Sequence, residues 1–155
     1  LSLQSIKDNH DAVLRLFSLA QREARIFSRD LDARLFSQQD ITDALSLLAR
    51  RHRLSKIQIL IFDPDTPMRT GHRWIDLSQR LSSRIEARIV HNEYTHLPFN
   101  FITVDDRGYY YRSNAAEYHA EIHFNSPIDV KDKNKLFDDI WQQSQVVTQW
   151  RRLHI

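Results

Sequence analysis

Ile57-Gln58-Ile59-Leu60-Ile61-Phe62, closed by Asp63-Pro64-Asp65, is the stretch on which the fold turns. It is β-branched and almost continuously apolar, as a central strand covered on both faces should be, and Pro64 cannot donate to a ladder. Immediately upstream, Ser37 with Asp40 three residues later resembles a helix start, and Ile41, Ala44, Leu45 and Leu48 carry an apolar stripe to about Arg51. Further back, Ala24 to Ser28 reads as a strand that exits through Arg29 and Asp30, with Asp32 to Phe36 as a helical turn. Val13, Leu16, Phe17 and Ala20 place a helix from about Asn9 to Gln21, capped by Asn9 or Asp8. Downstream, Trp74, Leu77 and Leu81 predict one helix over Arg69 to Ser83, and Ile85 to Val90 alternates as a strand. Strands and helices in this order predict an α/β fold with a mixed, mainly parallel sheet flanked by helices and right-handed crossovers. Phe99 to Asp105, Tyr109 to Ser113 and Glu117 to Phe124 then read as three strands, the first two joined at Asp106-Arg107-Gly108. After Pro127, Leu136, Phe137, Ile140, Trp141 and Ser144 mark the inward side of a final helix.

The 155 residues suit one domain over 1–155 with a core that needs no staple. Cys is absent, which excludes disulfides, thiolate zinc sites and cysteine nucleophiles and fits a reducing, cytoplasmic setting. No apolar run approaches the roughly 18 residues of a membrane span. The formal net charge of +2 is too small to name a polyanion partner by itself. Since Met68 is the only Met, the chain is expected to be processed or to be the C-terminal part of a longer protein. Gly71 and Gly108 stand alone, so no glycine-rich phosphate loop or dinucleotide site is present.

The order of elements, with Ile26 to Leu31, Ile57 to Asp63 and Leu136-Phe137-Asp138-Asp139-Ile140-Trp141 at their spacing, resembles one half of the phospholipase D-like fold. It also looks like an uncharacterised bacterial domain found behind GNAT-type acetyltransferase domains, so a fused acetyltransferase domain is the implied neighbour. In the phospholipase D-like family a His-x-Lys-x-x-x-x-Asp motif attacks and holds phosphorus, followed by Gly-Ser-x-Asn. With the motif's Asp at Asp105, Pro98 falls where the nucleophilic His belongs and Asn100 where the Lys belongs. In the same register Arg112 takes the Gly position, Ser113 matches the Ser and Ala115 replaces the Asn. Proline has no nucleophilic atom and asparagine no charge, so the resemblance implies a catalytically degenerate binding or regulatory module with no cofactor. A homodimer is a further expectation, with Trp141, Trp150 and the tail Arg151-Arg152-Leu153-His154-Ile155 as the packing surface.

His96 lies two residues before Pro98, about 6.6 Å along a strand, and a bulge inserts only one residue, so it reads as a loop histidine rather than a displaced nucleophile. Glu117, His119, Glu121 and His123 alternate with apolar residues; the set suits a metal, and equally a strand with one solvated face. Ligands of parallel sheets bind beyond the strands' carboxyl ends. The candidates there are Ser28, Arg29, Asp30 and Asp63, with Arg69, His72 and Arg73 from the following helix and Asn100, Arg112 and Ser113 from the motif register. Arg29 with Arg69 or Arg73 would clamp a small anion or phosphate, or Arg29 would pair with Asp63 and fix a loop. Arg50-Arg51-His52-Arg53 with Tyr109, Tyr110 and Tyr111 is the nucleic-acid alternative, though helix C-termini also collect Arg. The rival from another class is a phosphodiesterase or nuclease that uses His96, or His119 and His123 with a metal.

Overall fold

The computed structural model describes residues 1–151. Among them, strands β1 (Ser2–Leu3), β2 (Glu23–Ser28), β3 (Lys56–Ile61), β4 (Ile85–Ile89), β5 (Asn100–Val104), β6 (Gly108–Arg112), β7 (Ala120–His123) and β8 (Gln145–Val146) form one sheet. Helices α1 (Ile6–Leu19), α2 (Ala33–Phe36), α3 (Gln39–Arg50), α4 (Asp65–Thr70), α5 (Arg73–Arg80) and α6 (Pro127–Gln143) flank it. The strand order is β1-β7-β6-β5-β2-β3-β4-β8.

The α/β class with helices on both faces agrees with the sequence, but the sheet is mostly antiparallel. Only β2 with β3 and β3 with β4 are parallel, in registers Ile26↔Ile59 and Ile59↔Ala87. After β4 the chain returns to the far side of β2, and β5, β6 and β7 continue outward as an antiparallel meander. The alternation rule holds as far as β4, and hairpins replace crossovers beyond it.

One face of β2 and β3 carries Ile26, Ile57, Ile59 and Ile61 against Val13, Leu16, Phe17, Leu45, Leu48 and Trp74 from α1, α3 and α5. The other carries Phe27 and Leu60, with Phe101, under Phe137 and Ile140 of α6. Phe27 and Phe101 stack at 5.1 Å between ring centres. This two-sided burial is why the Ile57 to Phe62 stretch is nearly all apolar. No helix among the described residues is long and apolar enough to cross a membrane.

Several local expectations shift. Helix α1 is capped by Ser5, whose Oγ accepts the Asp8 N–H at 3.0 Å. Asn9 is not a cap: it is fully buried, donates to the Ser5 and Tyr118 carbonyls at 2.7 Å, and accepts the Tyr110 hydroxyl. Ser37 does not cap α3 either, because its Oγ accepts the Arg73 N–H at 3.0 Å. The single helix expected over Arg69 to Ser83 is two, since Gly71 sits at φ 65° and turns the chain between α4 and α5. Trp150 is 3% exposed and donates through Nε1 to the Pro64 carbonyl at 3.0 Å, while Trp141 stacks on Phe137 beneath the Arg88 guanidinium. Both tryptophans are therefore engaged within the chain, and of the expected packing tail residues 152–155 lie outside the described residues.

The β5–β6 turn falls one residue earlier than the expected Asp106-Arg107-Gly108, since Val104 pairs with Gly108 and Asp105 to Arg107 connect the strands. Asp105 and Asp106 both take positive φ, 57° and 62°, and the Arg107 N–H bonds the Val104 carbonyl at 3.0 Å, as in a type I′ turn. The Asp105 carboxylate then accepts three backbone N–H groups from the entry to β2: Gln21 at 2.6 Å, Arg22 at 2.8 Å and Glu23 at 3.0 Å. Asp105→Ala removes three charge-assisted bonds, returning the Gln21 and Arg22 N–H groups to water and leaving the half-buried Glu23 N–H unmatched, and removes a side chain that tolerates left-handed backbone. The expected loss is about 2–4 kcal/mol by urea denaturation, with Asp105→Asn losing clearly less because one accepting oxygen and the turn preference remain. Equal losses in both variants would mean that the carboxylate is not what holds the turn.

Candidate functional site

The site is built at the end of the sheet where β2 and β3 finish, β5 starts and β6 ends, with the order reversing at β2. Register places Asn100 opposite Arg112, and the Asn100 Oδ1 accepts the Arg29 N–H at 3.1 Å. Five of the ten sequence candidates thus converge here: Ser28, Arg29, Asp30, Asn100 and Arg112.

Ser28 is buried and its Oγ accepts the Leu31 N–H at 3.0 Å. Leu31 is held at φ 57°, a region a branched side chain enters only when its surroundings compel it. The compelling contact comes from below: His72 Nε2 lies 2.8 Å from the Leu31 carbonyl, and His72 Nδ1 accepts the Trp74 N–H at 3.1 Å. One ring nitrogen must donate and the other accept, so His72 is a neutral imidazole protonated at Nε2. Burial agrees, lowering its pKa to about 4 against the opposing pull of the Leu31 carbonyl.

Next in the loop, Asp30 has its pKa raised, first by burial and then by the Asp32 carboxylate, while the Asp32 N–H it accepts works the other way. Asp32 caps the short helix α2 and accepts the Tyr118 hydroxyl at 2.5 Å. The same hydroxyl accepts Arg34 Nη2 at 3.0 Å. The Tyr118 ring has the Arg34 guanidinium 5.6 Å from its centre and that of Arg112 at 4.9 Å.

Arg112 is 1% exposed. It donates through Nε to the Glu117 carbonyl and through Nη2 to the Ala115 carbonyl, both at 2.7 Å, and so shapes the loop after β6. Its Nη1 makes no well-formed hydrogen bond; the nearby Tyr110 hydroxyl is directed to Asn9. A buried cation with an idle donor is costly unless something polar reaches it. Beside it lies a pocket of about 200 Å³ lined by Asp30, Asp32, Arg34, Arg112, Ala115, Ala116 and Tyr118. Carboxylates and guanidinium groups around so small a volume suit a small polar group that both accepts and donates hydrogen bonds.

The other candidates sit apart. Asp63 closes an Asx turn, accepting the Thr66 hydroxyl at 2.6 Å and the Thr66 and Asp65 N–H groups, which lower its pKa against partial burial. Arg29 is exposed and lies over the Phe62 ring at 5.2 Å, so the expected Arg29–Asp63 ion pair is not formed. Arg69 donates to Thr66 Oγ1 at 3.0 Å, beside Asp63. Arg73 turns to the Ser37 carbonyl at the start of α3, so the expected Arg29–Arg73 clamp does not assemble. Ser113 lies past the end of β6 in a shallower hollow with Ser2, Tyr111, His119 and Glu121. Pro98 and His96 are both exposed, and Pro98 meets this region only through its carbonyl, which accepts the Ala115 N–H at 2.9 Å.

The expected metal-like face is broken. β7 spans only Ala120–His123, leaving Glu117 and His119 outside it, and Glu121 stands 3.8 Å from His123 as a surface pair. Among the described residues no three His, Cys, Asp or Glu side chains are grouped to hold a metal. Sequence reasoning missed Asp32, Arg34 and Tyr118 as pocket residues. The first two read as a helical turn, and Tyr118 fell on the apolar side of a strand that starts later than the alternation indicated.

Residues 5–153 match the family described as Domain of unknown function (DUF7931), and the chain belongs to it. No curated protein matches the chain. Among solved structures, the fold is similar to TrmBL2, an archaeal chromatin protein whose structure shows a novel mode of DNA binding, at a TM-score of 0.68 and 14% identity over 95% of this chain and 54% of that one. It is also similar to NucT from Helicobacter pylori, at 0.62 and 12% identity over 91% of this chain and 92% of NucT. A third is phosphatidylserine synthase from Haemophilus influenzae, at 0.59 and 12% identity over 92% and 38% of the respective chains. The chain thus spans about half of TrmBL2 and little more than a third of the synthase.

The His72 clamp has a pH signature. An unfolded histidine titrates near 6.5 and the folded one near 4, so between these values the unfolded chain binds a proton that the folded chain refuses, and stability falls as pH falls. Thermal unfolding from pH 7 to 4.5 should show up to about 3 kcal/mol more acid sensitivity in the wild type than in His72→Gln. Parallel pH profiles for the two would show that His72 does not titrate this way.

Proposed function

We propose that this chain is a non-catalytic, phospholipase D-like binding module whose pocket beside Arg112 takes a small anionic or phosphate-bearing group. One observation carries the reading: where the register asks for the nucleophilic His and the phosphate-holding Lys stand an exposed Pro98 and a buried Asn100 whose amide oxygen is engaged by the Arg29 N–H. The motif's Asp, at Asp105, lies in the turn at the opposite end of β5 and serves three backbone N–H groups. What remains at this end is recognition chemistry: Arg112 and Arg34 as charge-assisted donors with Tyr118 between them, beside the Asp30 and Asp32 carboxylates, which would accept a proton-bearing oxygen of the ligand.

The similarity to segments of TrmBL2 and of phosphatidylserine synthase supports a module that works beside another domain, the acetyltransferase domain of the resemblance being the specific neighbour proposed. Self-association as a homodimer is a separate part of the proposal, read out by the chain's mass in solution.

Inorganic phosphate at about a hundred times its dissociation constant should add about 2.7 kcal/mol, or about 5–10 °C in melting temperature. Arg34→Ala, which changes an exposed residue of the pocket, should reduce that shift by at least half without altering the melt in the absence of phosphate by more than 2–3 °C. Hydrolysis of bis(p-nitrophenyl) phosphate should stay at background. Steady turnover lost on His96→Ala would overturn the non-catalytic reading, and a shift indifferent to Arg34 would move the binding site elsewhere.

A further inference from the structure

We infer that the opposite end of the sheet, where the parallel strands begin, binds the phosphodiester backbone of nucleic acid without reading its sequence. This surface shares no residue with the pocket beside Arg112 and stands or falls separately from it.

Backbone contacts bring the cations together. The Lys56 N–H bonds the Arg22 carbonyl at 3.1 Å, the Ile57 N–H bonds the Arg84 carbonyl at 2.8 Å, and Arg84 Nη1 reaches the His52 carbonyl at 2.6 Å. Arg22 is tied to the Asp105 turn, which also carries Arg107. With neighbouring strands about 4.8 Å apart, Arg107, Arg22, Lys56 and Arg84 form a row roughly 15 Å long across the sheet's end. Arg50, Arg51 and Arg53, at the end of α3, adjoin it, for Arg51 Nη1 bonds the Ala20 carbonyl.

This charge is not cancelled locally. Arg22, Arg50, Arg51, Arg53, Lys56 and Arg107 are exposed, and none takes part in the ion pairs of the described residues. The nearby carboxylates offset only part of it: Glu23 is paired with Arg25 at 3.0 Å, while Asp105 and Asp106 accept neutral N–H groups and keep their charge, two anions beside seven cations. The helix dipole accounts for Arg50 at the end of α3, but not for Lys56 at a strand start or Arg107 in a hairpin.

The choice of polyanion follows from arrangement. Arginine predominates, and its planar fork matches phosphate oxygens. The row is extended and evenly stepped, as is a phosphodiester chain, and it borders a groove of about 650 Å³ lined by Leu19, Gln21, Arg22, Glu23, Leu54, Asp105, Asp106 and Arg107, with Asp105 and Asp106 on its β5–β6 side, away from Lys56 and the end of α3. A lipid surface is favoured by interfacial aromatics or a continuous apolar face. This groove has no aromatic lining, only Leu19 and Leu54, each more than half exposed. Neither leucine is the sunken pocket an acidic peptide would need for an apolar anchor.

The test is fluorescence anisotropy of the full chain with a labelled duplex of about 20 base pairs, titrated at several salt concentrations. Five phosphate contacts give a slope of log affinity against log salt of about −4.5, so affinity should fall on the order of 20-fold between 50 and 100 mM salt. The triple variant Arg53→Ala, Lys56→Ala, Arg107→Ala should lower affinity at least tenfold at 50 mM and flatten the slope by about 2.7, while Lys7→Ala changes neither. The three positions are exposed, and a matched melting temperature confirms folding. Duplex binding that is absent at 50 mM, or unaltered in the triple variant, overturns the proposal. Equal or tighter binding of polyglutamate, or of phosphatidylserine vesicles, at the same salt overturns it in favour of an acidic protein or a membrane.

Discussion

Three N–H groups that enter β2 have no strand to meet at that point, and one carboxylate, Asp105, accepts all of them. Hydrogen bonds to an ionised acceptor are about twice as strong as neutral ones, so the carboxylate holds these donors although Gln21 and Arg22 lie at the surface. The contact fixes the β5–β6 hairpin against the first residues of β2, and with it the direction in which the sheet grows once the parallel part is complete. It also fixes the register that sets Asn100 beside Arg29 and Arg112 at the other end of the same strands.

That register explains how the pocket is maintained. Strands β2, β5 and β6 are short and buried, so their far ends are set within a narrow tolerance once the near ends are tied. The loop over the pocket nevertheless contains a strained residue, Leu31, clamped by Ser28 above and His72 below. His72 comes from the turn that Gly71 makes between α4 and α5, so a helix break far along the chain supports the loop after β2. Arg112 does the same for the loop after β6, by binding two carbonyls within it. The polar groups at this end are therefore positioning devices for the loops that surround the pocket.

Much of this was legible in the sequence. Ile57 to Phe62 announced a strand buried on both faces, and the apolar stripes of α1, α3 and α6 placed helices within a few residues of where they lie. Pro98 and Asn100 could be set against the motif of the resemblance because a motif has fixed spacing. Strand direction was harder to read, since a hydrophobic period marks a buried face and carries no information on whether the neighbour runs parallel. The Asp105-Asp106 turn was hidden because aspartate is common in many loops, and two successive left-handed aspartates leave no distinctive pattern. Asp32 and Tyr118 escaped for a different reason: they act on each other across 86 residues of sequence, and local pattern has no access to such a pair. The arginines at the end of α3 were seen as a run, but their companions Arg22, Lys56 and Arg107 join them only through the sheet.

The two outermost strands, β1 and β8, are two residues each, Ser2–Leu3 and Gln145–Val146. A strand so short offers too few free backbone groups to template another chain, which is how soluble sheets guard against edge-to-edge growth. For this molecule the consequence concerns assembly. On the β8 side the sheet's margin gives a partner's strand little to pair with, so contact there falls to the helical faces and to the strand ends, where the charged side chains are gathered. The sheet presents its chemistry along its axis and is quiet on its β8 side, an arrangement that lets the charged ends be used without edge-to-edge growth there.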